Sequence, residues 1–244
     1  MEYLIFRLYG PLASWGEPTV GPTRPTATHP SRSAILGLLG AALGLRRDDE
    51  AAQRRLRDSV NVATKEISSG VNVRDYHTAQ VPERQKKTAY RTRSEELAQP
   101  QKRLHTILSS RDYRCDGYWI VAISLRPDSA WDLGQLAQAL QYPTFQLYLG
   151  RKACPLAAPL SPRRVEADGI REAMAAELPP LDGDDEGKLQ WRLGAGDDVT
   201  YAWEGDGGDV TAQHTRYPYD EPLHRQRWQF ASRPEHSQRS SEGE

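Results

Sequence analysis

Gly117-Tyr118-Trp119-Ile120-Val121-Ala122-Ile123-Ser124-Leu125 is almost continuously apolar and rich in β-branched and aromatic residues. A run of this kind reads as a strand with both faces covered, and so as the centre of a sheet. Downstream, Pro127-Asp128-Ser129 predicts the start of a helix in which Leu133, Leu136, Ala137 and Leu140 fall at helical spacing. Pro143 interrupts it. Thr144 to Leu149 then reads as a further strand, closed by Gly150-Arg151-Lys152.

Upstream, Tyr3 to Tyr9 reads as a strand with Leu4, Phe6 and Leu8 on one face, ended by Gly10-Pro11. A polar stretch from Thr23 to Ser33 runs into the apolar Ala34 to Leu45. That junction predicts a helix start, with Ser31 and Ser33 as capping types. Arg46 and Arg47 suit the C-terminal dipole, and Gly37, Gly40 and Gly44 leave room for another backbone. A short helix over Glu50 to Asp58 follows, then a strand over Val60 to Thr64, which Gly70 to Arg74 pairs with or extends.

From Tyr76 to Tyr113 the apolar periodicity disappears. A segment this long is either a solvated loop or an extended arm that leaves the core to meet a charged partner. The order is strand, helix, strand, arm, strand, helix, strand. This is the split βαβ pattern of an α+β, ferredoxin-like (RRM-like) domain. The expected organisation is a body over 1–160 with the arm inserted at 76–113. A smaller β-rich region follows over 161–233, with candidate strands at Leu189 to Leu193 and Val199 to Trp203. Trp228 to Arg233 is expected to be its last docked element, and 234–244 a disordered tail. The aromatic signature of RNA-recognition sheets is missing from Tyr118 to Leu125, so RNA would not use that sheet face in the usual way.

The net charge of −1 hides a segregation. Basic residues dominate from Arg84 to Arg114, among them Lys86, Lys87, Arg91, Lys102 and Arg103, while acidic residues dominate from Asp182 to Asp209. A basic stripe is the usual footprint of a polyanion partner. Two cysteines, Cys115 and Cys154, are too few for a disulfide framework and fit a reducing, cytoplasmic setting. No apolar run reaches the roughly 20 residues of a membrane span, and no signal peptide is expected.

Most catalytic patterns are missing. Gly37-Leu38-Leu39-Gly40 has no Walker lysine, and no two histidines sit at metal-ligand spacing, so no cofactor or metal is expected. The acidic cluster at Asp182 to Glu186 could bind a cation, but a flexible, Gly-flanked acidic loop is the better account. Two groupings remain. The predicted helix start, with unpaired N–H groups beside Ser31, Arg32 and Ser33 and with Arg24 nearby, is suited to a phosphate, although a capped core helix would look the same. Tyr76, His77, Lys86 and Lys87 could together supply the base, acid and cation of metal-independent RNA cleavage, or simply contact RNA. Tyr90 or Tyr148 could stack on an unpaired base.

Several blocks then align with one family. They are Gly10-Pro-Leu-Ala-Ser-Trp-Gly16, Thr23-Arg-Pro-Thr26, Pro30-Ser-Arg-Ser33, Leu36-Gly-Leu-Leu-Gly40, Arg47-Asp-Asp49, Val73-Arg-Asp-Tyr-His-Thr78, Tyr148-Leu-Gly-Arg-Lys-Ala-Cys-Pro155 and Phe230-Ala-Ser-Arg233. In these the chain resembles the CasD family, the fifth-family members of the repeat-associated mysterious protein (RAMP) superfamily in the type I-E CRISPR complex Cascade. The resemblance implies a ferredoxin-like body with a protruding thumb. It implies a non-catalytic role in antiviral defence, gripping the 5′ handle of the crRNA and capping the backbone subunits (CasC), near the large subunit (CasA), with target DNA met only through the complex. It also implies that the Arg24 to Ser33 segment and the Tyr148 to Lys152 loop, Arg151 included, hold the handle. The thumb, Val81 to Ser110, would cross the guide. In a related subtype the equivalent subunit is itself an endoribonuclease, which keeps metal-independent cleavage of repeat RNA as the alternative.

Overall fold

The computed structural model describes residues 1–83, 89–181, 193 and 198–241. Its core is a mixed α/β arrangement with one large, mostly antiparallel sheet and few helices. Strand β5 (Leu104–Leu125) runs through its centre. The C-terminal half of β5 lies between β1 (Glu2–Ala13) and β3 (Val60–Ser68), antiparallel to both. β6 (Arg163–Glu166) adds antiparallel to the far side of β1, giving the local order β6-β1-β5-β3.

The continuous apolar run follows from cover on both faces. Trp119, Val121 and Ile123 join Leu4, Phe6 and Leu8 in a core beneath α1 (Arg32–Ala42), α2 (Glu50–Ser59) and α4 (Leu133–Gln141). Tyr118, Ile120 and Ala122 join Tyr3 and Ile5 in a second core with α5 (Ile170–Ala175) and β7 (Asp198–Trp203). The face that RNA-recognition sheets leave open is thus filled here. On that face Arg7, 4% exposed, donates to the carbonyl of Pro159 at 3.0 Å and to the Ser161 hydroxyl at 2.9 Å, pinning the chain leading into β6.

The N-terminal half of β5 leaves the body. It pairs with β4 (Val71–Pro82) from Val71↔Cys115 to Pro82↔Leu104. Gly70 makes the reversal, with φ +66° and no space for a Cβ, which would lie 2.1 Å from the Cys115 carbonyl oxygen. The hairpin tip carries a short helix, α3 (Arg93–Leu97).

Several expectations need correction. Gly70 to Arg74 pairs with β5 rather than β3. Gly10-Pro11 does not end β1, which pairs on through Leu12↔Cys115 and Ala13↔Arg114. The cap of α4 is Asp132, which forms a capping box with Gln135, not Pro127 to Ser129. Thr144 to Leu149 is no strand. It makes a single bridge, Tyr148↔Pro155, and the strand on that side of the sheet is β6. The tail is not disordered over 235–241: β11 (Glu235–Ser241) lies between β7 and β8 (His214–Arg216). Gln229–Ala231 forms β10, which pairs with β9 (Glu221–His224) in a separate two-stranded sheet. The candidate strand before Leu193 and the acidic cluster at 182–186 lie outside the described residues. Among the described residues no helix is long and apolar enough to cross a membrane.

Candidate nucleic-acid interface

The start of α1 is built as its sequence asks. Ser31 is the N-cap, and its hydroxyl accepts from the Ala34 amide at 3.3 Å. What occupies the helix mouth, however, is protein. The Arg32 amide donates to Asp220 Oδ2 at 2.8 Å, so an internal carboxylate takes the place expected for a phosphate. The Arg32 side chain turns inward, 1% exposed, donating to Glu221 Oε2 at 2.6 Å, to the Val60 carbonyl at 3.1 Å and to Glu204. Arg32 is therefore not a phosphate ligand. It ties α1 to the C-terminal region.

Arg233, from the Phe230-Ala-Ser-Arg233 block, extends this tie. It donates to both oxygens of Asp220, at 2.7 and 2.9 Å, and to Glu235 at 2.6 Å. Burial alone would lower the Arg233 guanidinium, but Asp220 and Glu235 raise it above its ordinary value. Arg233 is near these acids in sequence, but the groups they tie it to, Arg32 and His29, are 188 and 206 positions from Asp220 and Glu235.

Beside this network a cleft of about 1180 Å³ runs along the outer face of α1. It gathers Arg24, Ser31, Ser33, Tyr148 and Arg151 from separate segments of the chain. The loops are held together by backbone groups, partnered by backbone and side chains. The Trp15 amide donates to Thr26 Oγ1 and the Ala27 amide to the Trp15 carbonyl, each at 2.8 Å, while Trp119 Nε1 donates to the Thr28 carbonyl at 2.8 Å. β2 (Thr23–Arg24) pairs parallel with β5 midway along the hairpin, at Ser110 and Arg111. The Tyr148 to Pro155 loop closes on the end of β1 through Ser14 N to Leu149 O at 3.0 Å. Gly150 has φ +83°, and a Cβ there would sit 1.9 Å from the Ser14 carbonyl oxygen. Arg151, in that loop, lies 4.6 Å over the Tyr113 ring and donates to the Arg24 carbonyl at 3.2 Å, while its Nη1 is buried without a hydrogen-bond partner.

Three further arginines of the cleft, Arg46, Arg47 and Arg225, were not among the sequence candidates. Five arginines thus face two lining carboxylates, Glu17 and Asp48, and Asp48 is already paired with Arg46 at 3.2 Å. Arg225 comes from the β9–β10 turn and packs against Gly37, donating to the Ser33 carbonyl at 2.9 Å. Burial, reinforced by the neighbouring Arg47, lowers its guanidinium to about 10. Gly37 and Gly40 of α1 accordingly admit side chains, Arg225 at Gly37 and Gln53 and Leu56 at Gly40. Gly44, past the helix end, meets Thr144, whose amide donates to the Ala42 carbonyl at 3.0 Å. Arg47 stacks on Trp228 instead of serving the helix end.

The other predicted residues stand apart from the cleft. His77 is exposed on β4, Tyr90 is half-buried at the hairpin tip, and Arg91, Lys102 and Arg103 are exposed there. Lys152 is exposed beside Arg151. Arg84, Lys86 and Lys87 lie outside the described residues. Tyr76 and His77 are consecutive in one strand and so point to opposite faces, which prevents them from converging on one scissile bond. The nuclease alternative is not favoured by this placement. Among the described residues no group of three His, Cys, Asp or Glu is placed to hold a metal ion.

Fold and cleft together define a mixed α/β protein with an arginine-lined cleft. The family model described as CRISPR-associated protein (Cas_Cas5) matches residues 3–234, and the chain belongs to that family. It is similar to the CRISPR system Cascade subunit CasD of Escherichia coli (strain K12), 34% identical over 241 residues, which covers 95% of this chain and 93% of the relative. Among solved structures, a chain of a CRISPR RNA-guided surveillance complex superposes with a TM-score of 0.65 at 26% identity, over 98% of this chain and 90% of the other. A crystal structure of a Cas protein shares the fold, with a TM-score of 0.56 at 22% identity over 98% of this chain and 94% of the other.

Proposed function

We propose that the protein is a non-catalytic subunit of a type I-E Cascade surveillance complex, where it binds the 5′ handle of the crRNA and caps the backbone subunits. The observation that carries this reading is the cleft beside α1, where arginines outnumber carboxylates and Arg151 and Arg225 have no direct ion pair among the described residues. Guanidinium groups in a cleft without a direct ion pair can accept an anion, and single-stranded RNA supplies phosphates at regular intervals. The cleft formed by Arg24, Ser31, Ser33, Tyr148 and Arg151, with Lys152 at its rim, takes the handle. The hairpin, with His77, Arg84, Lys86, Lys87, Tyr90, Arg91, Lys102 and Arg103, crosses the guide and meets CasC, while CasA lies close by and target DNA is met through the complex. The order β6-β1-β5-β3, antiparallel throughout, supports a ferredoxin-like body.

The test is binding of the full chain to its single-stranded repeat RNA across a salt series. Arg24→Ala with Arg151→Ala is expected to weaken binding and to flatten the salt dependence by about 1.4 in log–log slope, the value for two lost phosphate contacts on a single strand. Unchanged affinity and slope would refute the reading.

A further inference from the structure

The far wall of the cleft holds an aromatic residue that the fold does not need. Trp228, in the turn between β9 and β10, is 66% exposed despite its size. Its φ is +53°, a left-handed conformation that costs an L-residue energy and that glycine or asparagine would adopt more easily. It therefore gains neither burial nor backbone comfort where it stands. One face of its indole is covered by the Arg47 guanidinium, 4.8 Å from the ring centroid, and Phe230 lies beside it at 6.3 Å with a tilt of 42°.

Three residues back in the same turn, Arg225 points into the cleft, holding the Ser33 carbonyl and lacking an ion-pair partner among the described residues. Arg47, stacked on Trp228, adds to the positive potential around Arg225. One short turn thus offers a flat ring, backed on one side by a cation, next to a desolvated guanidinium. A nucleotide with an unstacked base has the matching pair of features, a π-face and a phosphate.

We propose that Trp228 is a stacking platform for one unpaired base of the bound RNA, with Arg225 holding the adjoining phosphate. The proposal rests on the RNA-binding reading above and extends it to a second subsite, on a turn separate from Arg24 and Arg151.

The experiment compares the full-length wild-type chain, Trp228→Ala, Trp228→Phe and the Arg24→Ala/Arg151→Ala pair on single-stranded repeat RNA, intact and with an abasic site at each position in turn. Because Trp228 is exposed, its variants should keep the wild-type thermal midpoint or exceed it, so a binding change is not a folding change. Trp228→Ala should bind about tenfold more weakly with an unchanged salt slope, and Trp228→Phe should recover most of the loss. One abasic position should weaken the wild type yet leave Trp228→Ala unaffected, because base and ring are partners. If Trp228→Ala binds as the wild type does while the arginine pair is impaired, the platform is wrong and the RNA reading stands. If neither binds differently, the RNA reading fails with it. A Trp228→Ala chain that keeps full RNA affinity but loses a protein partner also overturns the platform.

Discussion

At Arg32 the same charge serves a purpose opposite to the one its surroundings suggest. A cation beside a helix start reads as a phosphate site, yet Glu204, Asp220 and Glu221 have claimed both its side chain and the helix mouth. Removing it leaves the carboxylate of Glu204, which is 7% exposed, with only the longer guanidinium contact from Arg126, at 3.3 Å, among the described residues. Arg32→Ala is expected to lower stability by about 3–5 kcal/mol, the cost of breaking a buried ion pair from one side. Urea unfolding measures this, and a midpoint equal to wild type would contradict it. The Ser31 cap was legible because capping is local. The destination of Arg32 was not, since Asp220 lies 188 positions away and no local rule distinguishes an internal carboxylate from an external phosphate.

At the level of elements, legibility followed burial. Residues 117–125 announced a central strand because each face meets a core, and the faces of β1 were readable for the same reason. The other half of β5 was legible only as a region without apolar rhythm. It is a ladder of backbone hydrogen bonds with solvent-facing side chains, so no hydrophobic period exists to detect. β11 escaped notice in the same way: Glu235-His236-Ser237-Gln238 is polar, yet it pairs with β7 on one side and β8 on the other. The hairpin is anchored at its base, where Arg74 holds Asp112 at 2.7 and 3.0 Å and the Ser14 hydroxyl donates to the Asp112 carbonyl at 3.1 Å. Its tip closes through Glu83 N to Arg103 O at 2.8 Å. Replacing 84–102 with an Asn-Gly turn is therefore expected to leave the thermal midpoint nearly unchanged. A large drop would mean that the tip braces the body.

Across the whole molecule, the C-terminal segment is joined to α1 by charge. His29 Nε2 lies 3.2 Å from Glu235 Oε1, to which Arg216 also donates at 2.6 Å, and Arg233 links Glu235 to Asp220. Burial would raise the Glu235 carboxyl, but the hydrogen bond and charge of His29, with Arg233 and Arg216, outweigh it and hold it at about 2 instead of 4.5. A carboxyl whose folded value lies below its unfolded one stabilises the fold above the unfolded value, and that contribution is lost as pH falls through the folded one. Stability should thus decline between about pH 4.5 and 2. Glu235→Gln should show a shallower decline in unfolding midpoint over that window. Equal acid limbs for the two proteins would exclude Glu235 as the source.

The tie between Arg32 and Asp220 also has a consequence for synthesis. The ribosome makes one partner 188 residues after the other, an interval of roughly 10–40 s at ordinary elongation rates. Until then the nascent chain carries an unclaimed helix mouth and an unpartnered arginine, both open to any passing polyanion. The finished polypeptide closes that mouth with Asp220, just ahead of β9, while the neighbouring cleft stays open.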